Sequence, residues 1–302
     1  MNPDARERLA ATLAVLRTKG IGQVRLQRVL DEVHRRGLTL LDCVADANRD
    51  VWSCVGSAPC PPGDEDFALA EDLIAAGVTP LIKGEDAPLP PHAPPILFAR
   101  GALNLLSNRG VGFCGSRNAT PRGTEVAEDI ASQLGSNAIT AVSGGARGVD
   151  TAAHIAALRA GGTTIIVLAE GIGGWKPRAA LGGAIDLDRT LVVSEFHPAE
   201  RWLVGRAMQR NKTICALSSA LVLIEARVEG GTFAAGEAAL RMGIPLFCAV
   251  YANESEASDG NRILLERGAS RVMASRATGR ANVAPILERL RERSLTPLEV
   301  PV

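Results

Sequence analysis

Val111 to His154 read VGFCGSRNATPRGTEVAEDIASQLGSNAITAVSGGARGVDTAAH, and the pattern of this stretch decides the fold. Val111 to Cys114 is a short apolar run flanked by glycine, as expected of a strand buried on both faces of a parallel sheet. Gly115, Ser116 and Arg117 follow at once. The spacing of Val126, Ala127, Ile130 and Leu134 predicts a helix over Thr124 to Leu134 with one apolar face. A second strand over Ala138 to Val142 then enters a second glycine turn, Ser143 to Gly148. Two such turns at the carboxyl ends of adjacent parallel strands present backbone N–H groups at helix starts, where an anion is favoured. Tight strand-to-helix turns explain the glycines without any ligand. They do not explain why Arg117 and Arg147 each stand in one of the two turns, so a phosphate site is expected there.

The chain of 302 residues is long enough for a full core and a small second unit. Lys plus Arg and Asp plus Glu are both 33, so any polyanion site has to be a local concentration of cations. The start MNPDARERLA lacks an apolar signal core and no apolar run approaches a membrane span, from which a cytoplasmic protein without membrane contact is expected. The six cysteines form no CxxC pair and have no histidine at metal-ligand spacing, so neither a metal site nor a cofactor is expected.

Along the chain, residues 1–79 read as a small helical N-terminal domain, with two amphipathic helices on either side of Lys19-Gly20-Ile21-Gly22. That GIG resembles the turn of a helix-hairpin-helix or SAM-like unit; a plain turn between two helices accounts for it equally well. Residues 80–95, with six prolines, read as a linker. From 96 to 275, Ile96–Ala99, Thr164–Ala169, Thr190–Ser194, Leu221–Ile224, Ile244–Val250 and Ser270–Met273 join the two strands above. Strands alternating with helices predict a doubly wound, mostly parallel α/β sheet. A third glycine loop, Glu170 to Pro177, adds Lys176. Arg201, Arg206, Arg210 and Lys212 read as a charged patch at the start of a helix over Asn211 to Ser219. Residues 276–302 read as a short tail with one helix over 283–291 and no full winged helix.

The ordered set GSR, SGGARGVDTAAH, TIIVLAEG, SEF, RNKTICALSSALVLIEA, GGTFAAGEAAL and GNRILLERGA resembles the DNA-processing protein A family (DprA/Smf) from about Ile96 to Val272. The resemblance implies an extended Rossmann-like domain that binds single-stranded DNA without catalysis, assists loading of the RecA recombinase, and self-associates as a homodimer. It assigns DNA contacts to Arg117, Ser143, Gly144, Gly145, Lys176, Arg210 and Asn211; Gly115, Ser116, Arg147, Lys212, Gly230, Gly231 and Thr232, in or beside the same turns, are expected to join them at the phosphate site. The family's RNR stands here as Arg210-Asn211-Lys212, which keeps a cation and loses a guanidinium fork.

Other readings compete. Asp150 and His154 share a helix face and could exchange protons, or could serve the helix start and the core. Glu195 and Glu225 at strand ends could touch a ligand or accept backbone N–H groups. A nucleotide-sensing module would use the same turns for a small ligand. A LOG-type phosphoribohydrolase would need a glutamate near Gly230–Thr232, and Glu237 lies two residues too far along, about 200° around the helix.

Overall fold

The computed structural model describes residues 3–44, 46–86, 89–251 and 256–295. Pro88 of the expected linker and residues 296–302 of the expected tail lie outside the described residues. Four α-helices open the described chain: α1 (Pro3–Arg17), α2 (Gln23–Arg35), α3 (Leu40–Val44) and α4 (Asp64–Ala75). Leu9 and Leu13 of α1 and Leu26, Val29, Leu30 and Val33 of α2 recur at helical spacing and are buried. They enclose Trp52, whose indole N–H donates to the Cys43 carbonyl at 2.7 Å. The same apolar cluster takes in Ile82, Phe98, Ile166 and Val192 from the sheet, so these helices are packed on one end of it.

Among the described residues nine strands form a single sheet in the order β1-β2-β6-β5-β4-β3-β7-β8-β9. Their ranges are β1 Val78–Ile82, β2 Ile96–Gly101, β3 Gly110–Cys114, β4 Thr140–Gly144, β5 Thr164–Val167, β6 Thr190–Ser194, β7 Ala220–Leu223, β8 Leu246–Ala249 and β9 Ser270–Val272. From β6 to β9 all neighbours run parallel, while β1 and β2 are antiparallel. The fold is therefore the doubly wound, mostly parallel α/β sheet with helices before it that the sequence predicts. Residues 80–82, expected in the proline-rich linker, instead end strand β1, with Pro80 opposite Phe98. Proline is tolerated because β1 is an edge strand, where a missing donor faces no neighbour.

Strands alternate their side chains between two helical layers. α5 (Pro121–Ser136) and α6 (Val149–Arg159) cover Val111, Phe113, Ala141, Val222 and Ile224 on one face. On the other, α8 (Val204–Ala216), α9 (Gly231–Arg241) and α10 (Asp259–Glu266) cover Val142, Ile165, Leu221, Leu223 and Cys248. The short α7 (Ala179–Gly182) follows β5, and α11 (Ala284–Leu295) closes the described chain. Helix α8 begins seven residues before the expected Asn211, so Arg206, Arg210 and Lys212 lie on the helix and not ahead of it. The run Arg206-Ala-Met-Gln-Arg210 consists of strong helix formers, and its charges concealed that propensity.

After β3 the chain steps outward through β4 and β5 to β6, then returns to place β7 on the opposite side of β3. The strand order thus reverses between β3 and β7, and a crevice opens beyond their carboxyl ends. Asn261 of α10 fixes one wall of it. Its buried side chain accepts from Ala226 N at 3.0 Å and donates to the carbonyls of Ile224 at 2.9 Å and Ala249 at 3.0 Å. Removing it strands buried backbone groups, each at about 1–3 kcal/mol. Asn261→Ala is expected to lower the unfolding free energy by about 2–4 kcal/mol, read as a reduced urea midpoint with an unchanged slope.

Candidate functional site

The two glycine turns are locked backbone to backbone. Gly148, at the start of α6, has φ +77°, and a Cβ there would lie 2.4 Å from the Ser116 carbonyl oxygen, so only glycine lets the loops after β3 and β4 meet. The loop after β5 joins them through Arg178, whose Nε donates to the Gly145 carbonyl at 2.7 Å. Arg117, Arg147, Lys176, Arg178 and Arg210 consequently line one cavity of 690 Å³, together with Trp175, Trp202 and the carboxylate of Glu170. Trp202 is 41% exposed, and the Arg117 guanidinium lies 5.1 Å from its ring centre.

A second cavity of 500 Å³ shares Arg117, Ala146 and Arg210 with the first and occupies the crevice between β3 and β7. Gly115, Ser116, Asn211 and Gly230 to Thr232 line it, as expected from the sequence. Asn211 donates to the Gly231 carbonyl at 3.0 Å and so ties α8 to the start of α9.

Arg210 forms the common floor. It is 5% exposed, with Nη1 3.1 Å from the Val167 carbonyl and 3.6 Å from the Asp150 carboxylate, and its Nε has no partner. The guanidinium passes directly beneath Gly144, where a Cβ would stand 1.1 Å from Nη1. Gly144 is therefore a clearance for Arg210 and not a phosphate contact.

Two further expectations change. Ser143 is buried and its hydroxyl donates to the Phe113 carbonyl at 2.7 Å, which removes it from the cavity. Lys212, two residues beyond Arg210 and so about 200° around α8, faces a separate groove.

The helix starts are not all open to an anion. The Glu225 carboxylate accepts from Thr120 N at 3.0 Å and from the Thr120 hydroxyl at 2.5 Å, while Thr120 caps α5 by accepting from Gly123 N at 2.9 Å. Asp150 accepts from Ala146 N at 3.2 Å at the start of α6. The chain's own carboxylates thus occupy both sites beside the first two glycine turns. The start of α9 has no side-chain cap and no acidic residue in its first turn.

Asp150 and His154 do not form an acid–base pair. His154 is fully buried, with Nε2 2.9 Å from the Gly144 carbonyl and Nδ1 2.6 Å from the Thr164 hydroxyl. Burial lowers its pKa, and both ring nitrogens are committed to hydrogen bonds with Gly144 and Thr164. Glu195 accepts from the Thr213 hydroxyl at 2.5 Å, from Gln209 at 2.6 Å, and from Gln23 at the start of α2. Burial raises the pKa of that carboxyl. Glu237 pairs with Arg267 at 2.7 Å and does not line either cavity. Among the described residues no group of three or more His, Cys, Asp or Glu could hold a metal ion.

Residues 85–280 match the model of the family described as DNA recombination-mediator protein A. The chain belongs to that family. The DNA processing protein DprA of Streptococcus pneumoniae is 36% identical over 182 residues, covering 60% of this chain and 64% of the relative's length. The chain thus spans less than two thirds of that relative. A solved structure of DprA from the same organism aligns over 90% of this chain and 95% of the other, with a TM-score of 0.70 and 26% identity. A Helicobacter pylori DprA structure, described for its single-stranded DNA binding mode, aligns over 72% and 95% with a TM-score of 0.57 and 24% identity; it shares the fold. Arg178 and Trp202 fall outside the motifs that carry the resemblance, and only the packing of the third loop and of the chain before α8 brings them in.

Two outcomes follow from this geometry. Gly144→Ala is expected to cost about 1–3 kcal/mol of stability, because the methyl displaces a pinned guanidinium. Gly145→Ala, whose nearest neighbour would be a Leu168 methyl at 3.8 Å, is expected to cost less than about 0.5 kcal/mol; paired urea titrations compare them. His154 has a folded pKa below its unfolded value of 6.5, so its contribution is complete above pH 6.5 and is lost as pH falls below it. His197, also lowered by burial, shares that window. His154→Gln should flatten, without abolishing, the slope of stability against pH below 6.5.

Proposed function

We propose that this protein binds single-stranded DNA as a recombination mediator, holding the strand's phosphates in the joined cavities beyond β3, β4, β5 and β7. One observation carries the reading: Arg117, Arg147, Lys176, Arg178 and Arg210 converge there from three loops and one helix. Guanidiniums suit phosphate oxygens through paired N–H donors, and the exposed Trp202 beside Arg117 offers a face for a base. Membership of the recombination-mediator family supports the same reading. Loading of RecA onto the bound strand, a homodimeric state and a cytoplasmic setting belong to the proposal as finer parts of it.

Binding without cleavage is the second half of the reading. Cleavage would need an activated nucleophile beside a base. His154 is committed to Gly144 and Thr164, Asp150 to Ala146 and Arg210, and burial pushes the Cys114 thiol well above its ordinary range.

Arg117→Ala is expected to weaken binding of a fluorescent single-stranded oligonucleotide by about 1–3 kcal/mol, the range for hydrogen bonds to charged groups. Affinity of the unsubstituted protein should fall with salt at a log–log slope near −3, about −0.7 for each of roughly four phosphate contacts. A flat salt response, or tight binding of a mononucleotide with none of the oligonucleotide, points to the small-ligand reading instead. Release of free base from adenosine monophosphate, or of fragments from a labelled strand, ends the non-catalytic one.

A further inference from the structure

Helix α8 separates the proposed phosphate cavities from a second groove. This groove, of 910 Å³, lies between the Gly20-Ile21-Gly22 turn, α8 and the far end of α9. Arg25, Arg206, Lys212 and Arg241 line it, with Glu195 and Glu200 as its carboxylates. Neither carboxylate forms an ion pair with Arg25, Lys212 or Arg241, although Glu195 lies close enough to Lys212 to feel its charge. Glu200 is engaged by Arg206, and Glu195 is buried and saturated by donors from Gln23, Gln209 and Thr213. Arg25, Lys212 and Arg241 are left as a cationic surface in a chain whose formal net charge is zero.

The groove also carries apolar surface. Val24 is 70% exposed and Met208 48%. Met208 and Asn211 line both this groove and the 500 Å³ cavity, so the two adjoin across α8 at these side chains. Met208 and Lys212, four residues apart, share a helix face about 6 Å apart along the axis. Cations alternating with apolar side chains match a single strand, which presents phosphates along one side and base faces along the other. An acidic peptide would use the cations and leave Val24 and Met208 unmatched.

We propose that a single strand held at the glycine-turn cavities continues over Met208 and Asn211 into this groove, where Arg25, Lys212 and Arg241 take its phosphates. The inference rests on the proposed DNA-binding function and extends its footprint onto the GIG turn.

Fluorescence anisotropy of the full chain with oligothymidylates of about 6 and about 30 nucleotides tests it, since a single binding surface occupies on the order of 4–16 nucleotides. The double variant Arg25→Ala/Arg241→Ala is expected to hold the short strand within about twofold and the long one about tenfold more weakly. Its salt slope for the long strand should be shallower by about 1.4, two contacts at about 0.7 each. Arg25 also donates to the Gly20 carbonyl, so Arg241→Ala alone, at an exposed side chain without an ion pair among the described residues, serves as the second variant. It should reduce the slope by about 0.7. Equal affinity of variants and unsubstituted protein for the long strand overturns the inference and leaves the proposed function standing. Equal losses at both lengths overturn it as well, because the effect is then not confined to a continuing strand. A polyglutamate peptide bound by the unsubstituted protein and not by the double variant, with long-strand binding unchanged, assigns the groove to an acidic partner. Failure of the unsubstituted protein to bind either strand removes both readings together.

Discussion

The carboxyl edge of the sheet is assembled on the buried guanidinium of Arg210. A charge at that depth is tolerated only when it is paired and hydrogen-bonded, and here the Val167 carbonyl and the Asp150 carboxylate supply the partners. Those partners end β5 and begin α6, the guanidinium itself comes from α8, and it passes under the last residue of β4. Four elements therefore depend on one side chain, and Gly144 is the opening through which it reaches them. The charge cannot relax on binding. A cation already fixed at the cavity floor loses no rotamer freedom when an anion arrives, whereas Arg117 and Lys176 above it must be ordered.

The same edge shows how a fold with several helix starts directs an anion to one of them. Glu225 lies against the start of α5 and Asp150 against that of α6, so both are neutralised within the chain. At α9 there is neither a side-chain cap nor an acidic residue in the first turn, and Glu229 before the N-cap is the carboxylate nearest in sequence. Under the proposed function, a phosphate would meet the guanidiniums on one side of the crevice where the strand order reverses and the uncapped start of α9 on the other. The topology provides that crevice, and the placement of two carboxylates decides which of its walls attract.

Much of this was legible from residues 111–154 because parallel strands buried on both faces leave an unbroken apolar run, and glycine marks the turns that follow. The boundaries of β3, α5 and β4 fell within a few residues of the expected ones. What was not legible depended on direction and not on residue type. Nothing in the order Arg210-Asn211-Lys212 says which cation faces the cavity until α8 is known to begin at Val204, after which helical geometry sends Arg210 and Lys212 to opposite sides. Ser143 stands in a glycine turn by sequence but in the last turnward residues of β4 by structure, where its hydroxyl serves Phe113. Arg178 and Trp202 stand in stretches without periodicity, and only tertiary packing gives them neighbours.

Charge balance gives the site its range. In the helical N-terminal region several cations are matched, as in Arg6 with Glu71, Arg17 with Asp66, and Arg36 with Glu32 and Asp50. Arg117, Arg147 and Lys176 make no ion pair among the described residues, so part of the unmatched positive charge collects at the carboxyl edge of the sheet while the whole chain stays neutral. Beyond about 8 Å at physiological salt the field of such an arrangement is largely screened, and the excess at one edge is offset elsewhere. Attraction is then felt mainly by a chain segment already at the crevice. Under the proposed function, a neutral protein built in this way would resist long-range capture of polyanions and concentrate its affinity where several cations are reached at once, which suits a flexible strand able to enter the crevice better than a stiff duplex lying across it.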